Sequence, residues 1–166
     1  ADLEARPTDR VELEPVNVGD IARLVAETIR GRASPETSKI VVDESANVEV
    51  LGDPDGLERV LQNLLENASR YGKPGGEVRI TGARHEDRVA ITVADDGPGI
   101  AAEHLPRLFE RFYRVDPSRS REFGGAGLGL AIVKHDVELM NGTVIAKSEI
   151  GKGARFIVEL REARDS

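Results

Sequence analysis

From Leu57 to Tyr71 the chain places Leu57, Val60, Leu61, Leu64, Leu65 and Ala68 at helical spacing, the pattern of a helix that buries one continuous face. Asp53 in front of it is a natural N-cap and Pro54 a first-turn proline; Gly72-Lys73-Pro74-Gly75-Gly76 stops it. Upstream, Ile21, Leu24, Val25, Thr28 and Ile29 predict a second helix, with Asp20 as N-cap and Gly31 as terminator. Val16-Asn17-Val18 predicts a short edge strand. Two further short strands, over 39–43 and 48–51, are joined by a polar turn at 44–47. Alternation in Glu77–Ala83 and Arg88–Ala94 (Val78, Ile80; Val89, Ile91, Val93) around His85-Glu86-Asp87 predicts a hairpin. A third helix runs from Leu128 through Leu130, Val133 and Val137 to Met140, with Asn141-Gly142 as its C-cap. Thr143–Ser148 and Ala154–Leu160 pair across Gly151-Lys152-Gly153. Residues 97–127 carry no period beyond one helical turn near 104–109. A loop of that length in a compact domain is functional or unstructured. Residues 1–15, polar and broken by Pro7 and Pro15, suit a linker. The sum is an α+β domain, one mostly antiparallel sheet with helices on one face.

Composition narrows the class. With 166 residues, 39% hydrophobic and 32% charged, the chain suits one globular domain. The net charge of −7, few aromatics and no Trp argue against nucleic acid as a partner. Absence of Cys excludes disulfides, thiolate metal sites and a cysteine nucleophile. No apolar run reaches the ~18 residues of a membrane-spanning helix.

Several groups of residues can carry chemistry. Asn63 and Asn67 stand one turn apart on a flank of the Leu57 helix, with Arg70 on the same side. Their carboxamides offer neutral oxygens to a hard cation, or donors to phosphate; two Asn alone fit an ordinary polar helix face better. Asp95-Asp96-Gly97-Pro98-Gly99 follows a Val/Ile strand, where a carboxylate accepts from an exocyclic amine; alone it is also an ordinary Asx-type turn. Gly125-Ala126-Gly127-Leu128-Gly129 opens a helix, so its N–H groups suit an anion, yet it is neither a P-loop nor a dinucleotide fingerprint. Arg107, Arg111, Arg114, Arg119 and Arg121 crowd the intervening segment and suit a triphosphate or a solvated loop. His85, His104 and His135 have no spaced metal partners and belong to no Ser/His/Asp set.

Taken together and in order, these pieces resemble the catalytic ATP-binding domain of bacterial sensor histidine kinases, within the gyrase, Hsp90, histidine kinase and MutL superfamily. Leu61-Gln62-Asn63-Leu64-Leu65-Glu66-Asn67-Ala68-Ser69-Arg70-Tyr71 resembles the N-box and Asp96-Gly97-Pro98-Gly99-Ile100 the first glycine box. Leu108-Phe109-Glu110-Arg111-Phe112-Tyr113 resembles the F-box, and Gly125 to Val133 the second glycine box. The resemblance implies a Bergerat-type two-layer α/β sandwich over residues 16–161, with a mixed sheet, three main helices and an ATP lid over 97–127. It implies Mg²⁺ on Asn67 with Asn63 close by, phosphate contact by Arg70, and Tyr71 against adenine or ribose. Asp96 would accept from the adenine amino group, with Gly97, Gly99 and Ile100 lining the approach. Gly125, Gly127, Leu128 and Gly129 would cradle phosphate and Arg111 would reach it from the lid. The cofactors implied are ATP and Mg²⁺.

Two departures refine this. ATPases and serine-type kinases of the superfamily generally carry a Glu where Asn63 stands. Glu66 points about 100° away from Asn67, so no hydrolytic base is legible; a neutral imidazole acceptor does not need one. The phosphoacceptor His, followed by an acidic residue and Pro, is absent, since His85-Glu86-Asp87 lies in a hairpin without the Pro. The expected activity is therefore transfer of the γ-phosphoryl group to a histidine on a separate dimerisation domain, for relay to a response regulator. Residues 1–15 are expected to be the linker from that domain and 162–166 a tail. The fragment is expected to be a monomer, cytoplasmic, from a dimeric membrane sensor. An ATPase clamp and a nucleotide-sensing module without kinase activity remain the alternatives.

Overall fold

The computed structural model describes residues 11–32, 38–111, 113 and 129–163. In order these form β1 (Glu14–Asn17), α1 (Val18–Arg30), β2 (Lys39–Val42), a 3₁₀ turn (Glu44–Ala46), β3 (Glu49–Gly52) and α2 (Pro54–Tyr71). They continue with β4 (Glu77–His85), β5 (Arg88–Asp95), a second 3₁₀ turn (Leu105–Arg107), α3 (Gly129–Leu139), β6 (Thr143–Ser148) and β7 (Ala154–Arg161). The main sheet has five strands in the order β2-β4-β5-β7-β6. β2 runs parallel to β4 and every other pair is antiparallel.

Alternation places the core. Val78 and Ile80, then Val89, Ile91 and Val93, then Phe156, Val158 and Leu160 are buried on one face of the sheet. Against them lie Ala22, Val25, Ala26 and Ile29 of α1, Leu57 to Ala68 of α2, and Val133 and Val137 of α3, all in one cluster. This is the two-layer sandwich with a mixed sheet that the resemblance implies. α2 is the buried spine, with Asp53 Oδ2 accepting the Gly56 N–H at 2.9 Å and Pro54 in the first turn, as expected. α3 closes as expected: Asn141 takes φ 61° and the Gly142 N–H donates to the Val137 carbonyl at 2.9 Å.

Several expectations need correction. α1 begins at Val18 and its N-cap is Asn17, whose Oδ1 accepts the Asp20 N–H at 3.0 Å; Asp20 lies inside the first turn. The buried stripe of α1 runs through Val18, Ala22, Val25, Ala26 and Ile29, which leaves Leu24 54% exposed. The strands fall into two sheets rather than the single one expected. The 3₁₀ turn between β2 and β3 redirects the chain, so β2 joins β4 while β3 pairs with β1 in a separate two-stranded sheet. That pairing begins at Glu14, inside the segment expected to be linker. At the other end, Glu162 bridges to Val50, and the Ala163 N–H donates to the Glu49 carbonyl at 3.0 Å, so the start of the expected tail is bound to β3. Residues 164–166 lie outside the described residues.

Candidate functional site: the strip between α2, α3 and the end of β5

α2 carries the expected carboxamides on its flank. Asn63 Nδ2 donates to the Arg59 carbonyl at 3.0 Å, which turns Oδ1 outward toward α3. A Cβ at Gly129, the first residue of α3, would lie 3.1 Å from that Oδ1, so the absence of a side chain there lets the two helices close up. One turn on, Asn67 is half-buried and its carboxamide has no hydrogen-bond partner among the described residues. A half-buried amide group without a protein partner is available to a ligand. Arg70 pairs with Glu66 at 3.5 Å along the same helix and is engaged further by neighbouring groups.

At its C-terminal end α2 meets the end of β5. A Cβ at Gly72 would sit 3.6 Å from the Asp95 Cβ and 3.0 Å from Ser38 Oγ. Asp95 Oδ1 accepts the Gly97 N–H at 2.9 Å and the Ala154 N–H at 3.2 Å; Oδ2 has no partner among the described residues. Burial raises the Asp95 carboxyl above its ordinary value; the two N–H donors oppose that shift, and the neighbouring Asp96 charge adds to it. Asp96, by contrast, is exposed. Its Oδ2 accepts the Glu77 N–H at 3.0 Å and its carboxylate occupies the space above Gly76. The resemblance points to Asp96 for the adenine contact; of the two carboxylates Asp95 is the half-buried one, with an oxygen that has no partner among the described residues. The signal was the strand phase, since Val89, Ile91 and Val93 face the core and Asp95 continues that alternation.

The glycine turn after β5 is fixed by the protein itself. Gly99 adopts φ 83°, and a Cβ there would collide with the Glu149 carbonyl. The Gly151 N–H donates to the Pro98 carbonyl at 2.6 Å. The Ile100 N–H donates to Ser148 Oγ at 2.7 Å, and that hydroxyl donates on to the Gly153 carbonyl at 2.9 Å. The following residues also pack rather than hang free. Leu108 is buried, and the Phe109 ring meets Phe156 edge-on with centroids 6.2 Å apart. Tyr113 is held by His104 and by the Arg107 guanidinium, 4.5 Å from its ring centroid. Arg111 is exposed in the turn beyond. Hence the first part of the expected lid is docked on the sheet. Phe112, Arg114, Arg119, Arg121, Gly124, Gly125, Ala126, Gly127 and Leu128 lie outside the described residues, as does the side chain of Tyr71.

Among the described residues no cluster of His, Asp, Glu or Cys can hold a metal ion by itself. Asn67, half-buried and without a described hydrogen-bond partner, offers a neutral carboxamide oxygen of the kind a hard cation accepts. No described helix is long and apolar enough to cross a membrane.

Helices on one face of a mixed sheet, a glycine turn ending β5 and a helix opening on glycine form the frame of an ATP-binding sandwich domain. Residues 52–164 match the family profile described as histidine kinase-, DNA gyrase B-, and HSP90-like ATPase. The chain is 48% identical to sensor protein SrrB of Staphylococcus aureus (strain NCTC 8325 / PS 47) over 108 residues, 65% of this chain and 18% of SrrB. It superposes on the mycobacterial sensor histidine kinase MprB with a TM-score of 0.77 and 29% identity, covering 93% of this chain and all 100% of that one. With full-length ShkA, solved in complex with AMPPNP, the TM-score is 0.78 at 33% identity, covering 94% of this chain and 33% of ShkA. The chain belongs to the histidine kinase-, DNA gyrase B- and HSP90-like ATPase family, and within it is similar to the ATP-binding domains of sensor histidine kinases. It spans 18% of the length of its curated relative SrrB.

Proposed function

We propose that this domain binds Mg·ATP along α2 and donates the γ-phosphoryl group to a histidine on a separate dimerisation domain, for relay to a response regulator. The observation that carries this reading is the Asn67 carboxamide, without a hydrogen-bond partner among the described residues, on the helix whose middle meets Gly129 through Asn63 and whose C-cap Gly72 lies against Asp95. Asp95 Oδ2 accepts from the adenine amino group, in place of the more obvious Asp96; its half-burial and its free oxygen support that role. Asn67 ligates the metal, with Asn63 beside it, and the metal when bound neutralises phosphate charge. Arg70, the backbone around Gly125, Gly127, Leu128 and Gly129, and Arg111 hold the phosphate chain.

In the transfer step an imidazole nitrogen of the acceptor forms a bond to Pγ while the bond from Pγ to the β,γ-bridging oxygen breaks and ADP leaves. The domain's contribution is alignment and charge stabilisation. Asn63 is no general base, which disfavours an ATPase clamp. The complete protein is proposed to be a dimer and this domain its cytoplasmic part. Mixing the domain with a matching acceptor domain and labelled ATP is expected to give an acid-labile, base-stable phosphoprotein. Stable self-phosphorylation of the domain alone, or steady ATP turnover without transfer, would overturn the reading.

A further inference from the structure

α2 and α3 are joined by more than apolar packing. Arg59 Nε and Nη2 reach Asp136 Oδ2 and Oδ1, each at 3.1 Å. The Asp136 side chain is only 6% exposed, whereas that of Arg59 is 52% exposed. A carboxylate at that depth loses most of its hydration, and one forked guanidinium returns a pair of parallel hydrogen bonds. The bidentate fork fixes an angle as well as a distance, which a single ammonium contact does not.

The location of this pair matters. Arg59, Asn63 and Asn67 follow each other at intervals of four along one strip of α2. The Arg59 carbonyl holds Asn63 Nδ2 and so aims Oδ1 at Gly129. One residue of α2 thereby grips α3 with its side chain and orients, through its backbone, the carboxamide against which α3 begins. Asp136 and Gly129 lie seven residues apart on α3, roughly two turns. Two contacts at that separation set both the rotation and the slide of α3 over α2, where the valines Val133 and Val137 between them supply adhesion but little register.

We infer that the Arg59–Asp136 pair is a positioning lock that registers the N-terminus of α3 at Gly129 against the Asn63/Asn67 strip. The inference rests on the reading of that strip as the phosphate end of the nucleotide site. Arg59 and Asp136 touch no nucleotide themselves. Their loss acts on the phosphate end alone, because Asp95 is held from β5 and β7 and does not depend on α3.

The test is calorimetric titration of the whole chain with a non-hydrolysable ATP analogue and with AMP, in Mg²⁺ buffer. Asp136→Asn keeps the shape and leaves Arg59 free to be solvated. It is expected to weaken the ATP analogue by about tenfold, the size of an ordinary coupling between linked sites, with AMP changed by less than about twofold and melting little altered. Arg59→Lys retains a cation for the buried carboxylate, so folding is safeguarded. It replaces the fork by one contact and is expected to give the same selective loss, about threefold. If both variants weaken the two ligands equally, or neither ligand, the lock is overturned and the pair is merely structural. If the wild-type chain itself does not distinguish the ATP analogue from AMP, the phosphate-end reading fails first and the lock with it.

Discussion

Asp95 Oδ1 accepts the Gly97 N–H at 2.9 Å across a two-residue turn, while the Ala154 N–H approaches the same oxygen from β7. Both donors fix the carboxylate and leave its second oxygen for a ligand. Asp95→Asn preserves shape, and its carbonyl oxygen can keep both donors, but it offers an NH₂ where an acceptor is needed. ATP binding is expected to weaken by about 10- to 100-fold, the effect of an unmatched polar contact in a half-buried site. Asp96→Asn, acting on an exposed carboxylate, is expected to change it by less than about threefold. Titration calorimetry of both variants checks this; the reverse order would return the adenine role to Asp96.

The same carboxylate predicts a pH dependence. Burial raises the Asp95 carboxyl above its ordinary 3.8 in the folded state. A folded-state value above the unfolded one means that the native state holds the proton more firmly, so this group's contribution to stability falls as pH rises through the window above 3.8. At pH 7 the ionised group carries a penalty that Asn would not. Asp95→Asn is therefore expected to melt higher than the wild type at pH 7 without nucleotide, with the gain shrinking as pH falls toward 4. Melting curves across that range decide it, and a variant less stable at pH 7 would contradict the assignment of burial as the dominant cause.

Much of this was legible in the sequence because the relevant signals are local. α2 announces itself through six apolar residues at helical spacing and the Asp53-Pro54 cap, and the structure agrees to the residue at its start. Asn63 and Asn67 were identified with it. The α1 stripe runs through Ala22 and Ala26, which are fully buried, and not through the larger and more apolar Leu24, which is exposed. The polar turn at 44–47 does not say what β2 and β3 pair with. Their true partners, β4 and β1, are set by the sheet as a whole. Phe109 reads as a small packing anchor from the sequence, but its partner Phe156 carries no local signal, since the contact is one edge-on ring pair from an aperiodic segment.

Asn67 offers a sharper separation of function from fold. Its carboxamide makes no hydrogen bond among the described residues, so Asn67→Ala removes no described hydrogen bond and a helix accepts Ala well. Stability is expected to stay within about 0.5 kcal/mol of the wild type, a typical effect for substitutions away from packed or bonded features. ATP affinity measured with Mg²⁺ is expected to collapse to the value found in EDTA. Retention of a Mg²⁺-dependent increment in the variant would remove Asn67 from the metal site.

Two glycines in the left-handed region differ in surroundings and so in expected cost. Gly75 has φ 70° and open space where a Cβ would stand, whereas Gly99 has φ 83° and the Glu149 carbonyl in the way. Gly75→Ala is expected to cost about 1 kcal/mol from backbone strain alone. Gly99→Ala adds a backbone collision that ties the β5 turn to the β6–β7 turn, and is expected to cost more than about 2 kcal/mol. Urea unfolding of both variants measures the difference; equal costs would mean that the turn relaxes freely.

The segment after β5 yields the last prediction. Had all of 97–127 been a loose lid, its amides would exchange with solvent at nearly free rates in the absence of nucleotide. Instead Ile100 is bonded to Ser148 at 2.7 Å, Leu108 is 5% exposed and Phe109 stands edge-on to the fully buried Phe156. Such an aromatic pair contributes about 0.5–1.5 kcal/mol beyond the area it buries. Hydrogen exchange is therefore expected to show protection at Ile100 and Leu108 without ATP. Phe109→Ala is expected to raise exchange across 100–111 by about tenfold, the equivalent of ~1.4 kcal/mol of local opening. Because Phe156 also belongs to the core under β5, the variant is expected to leave exchange in β4 and β5 nearly unchanged. Equal acceleration in those strands would show that the ring pair supports the whole sheet rather than docking this segment onto it.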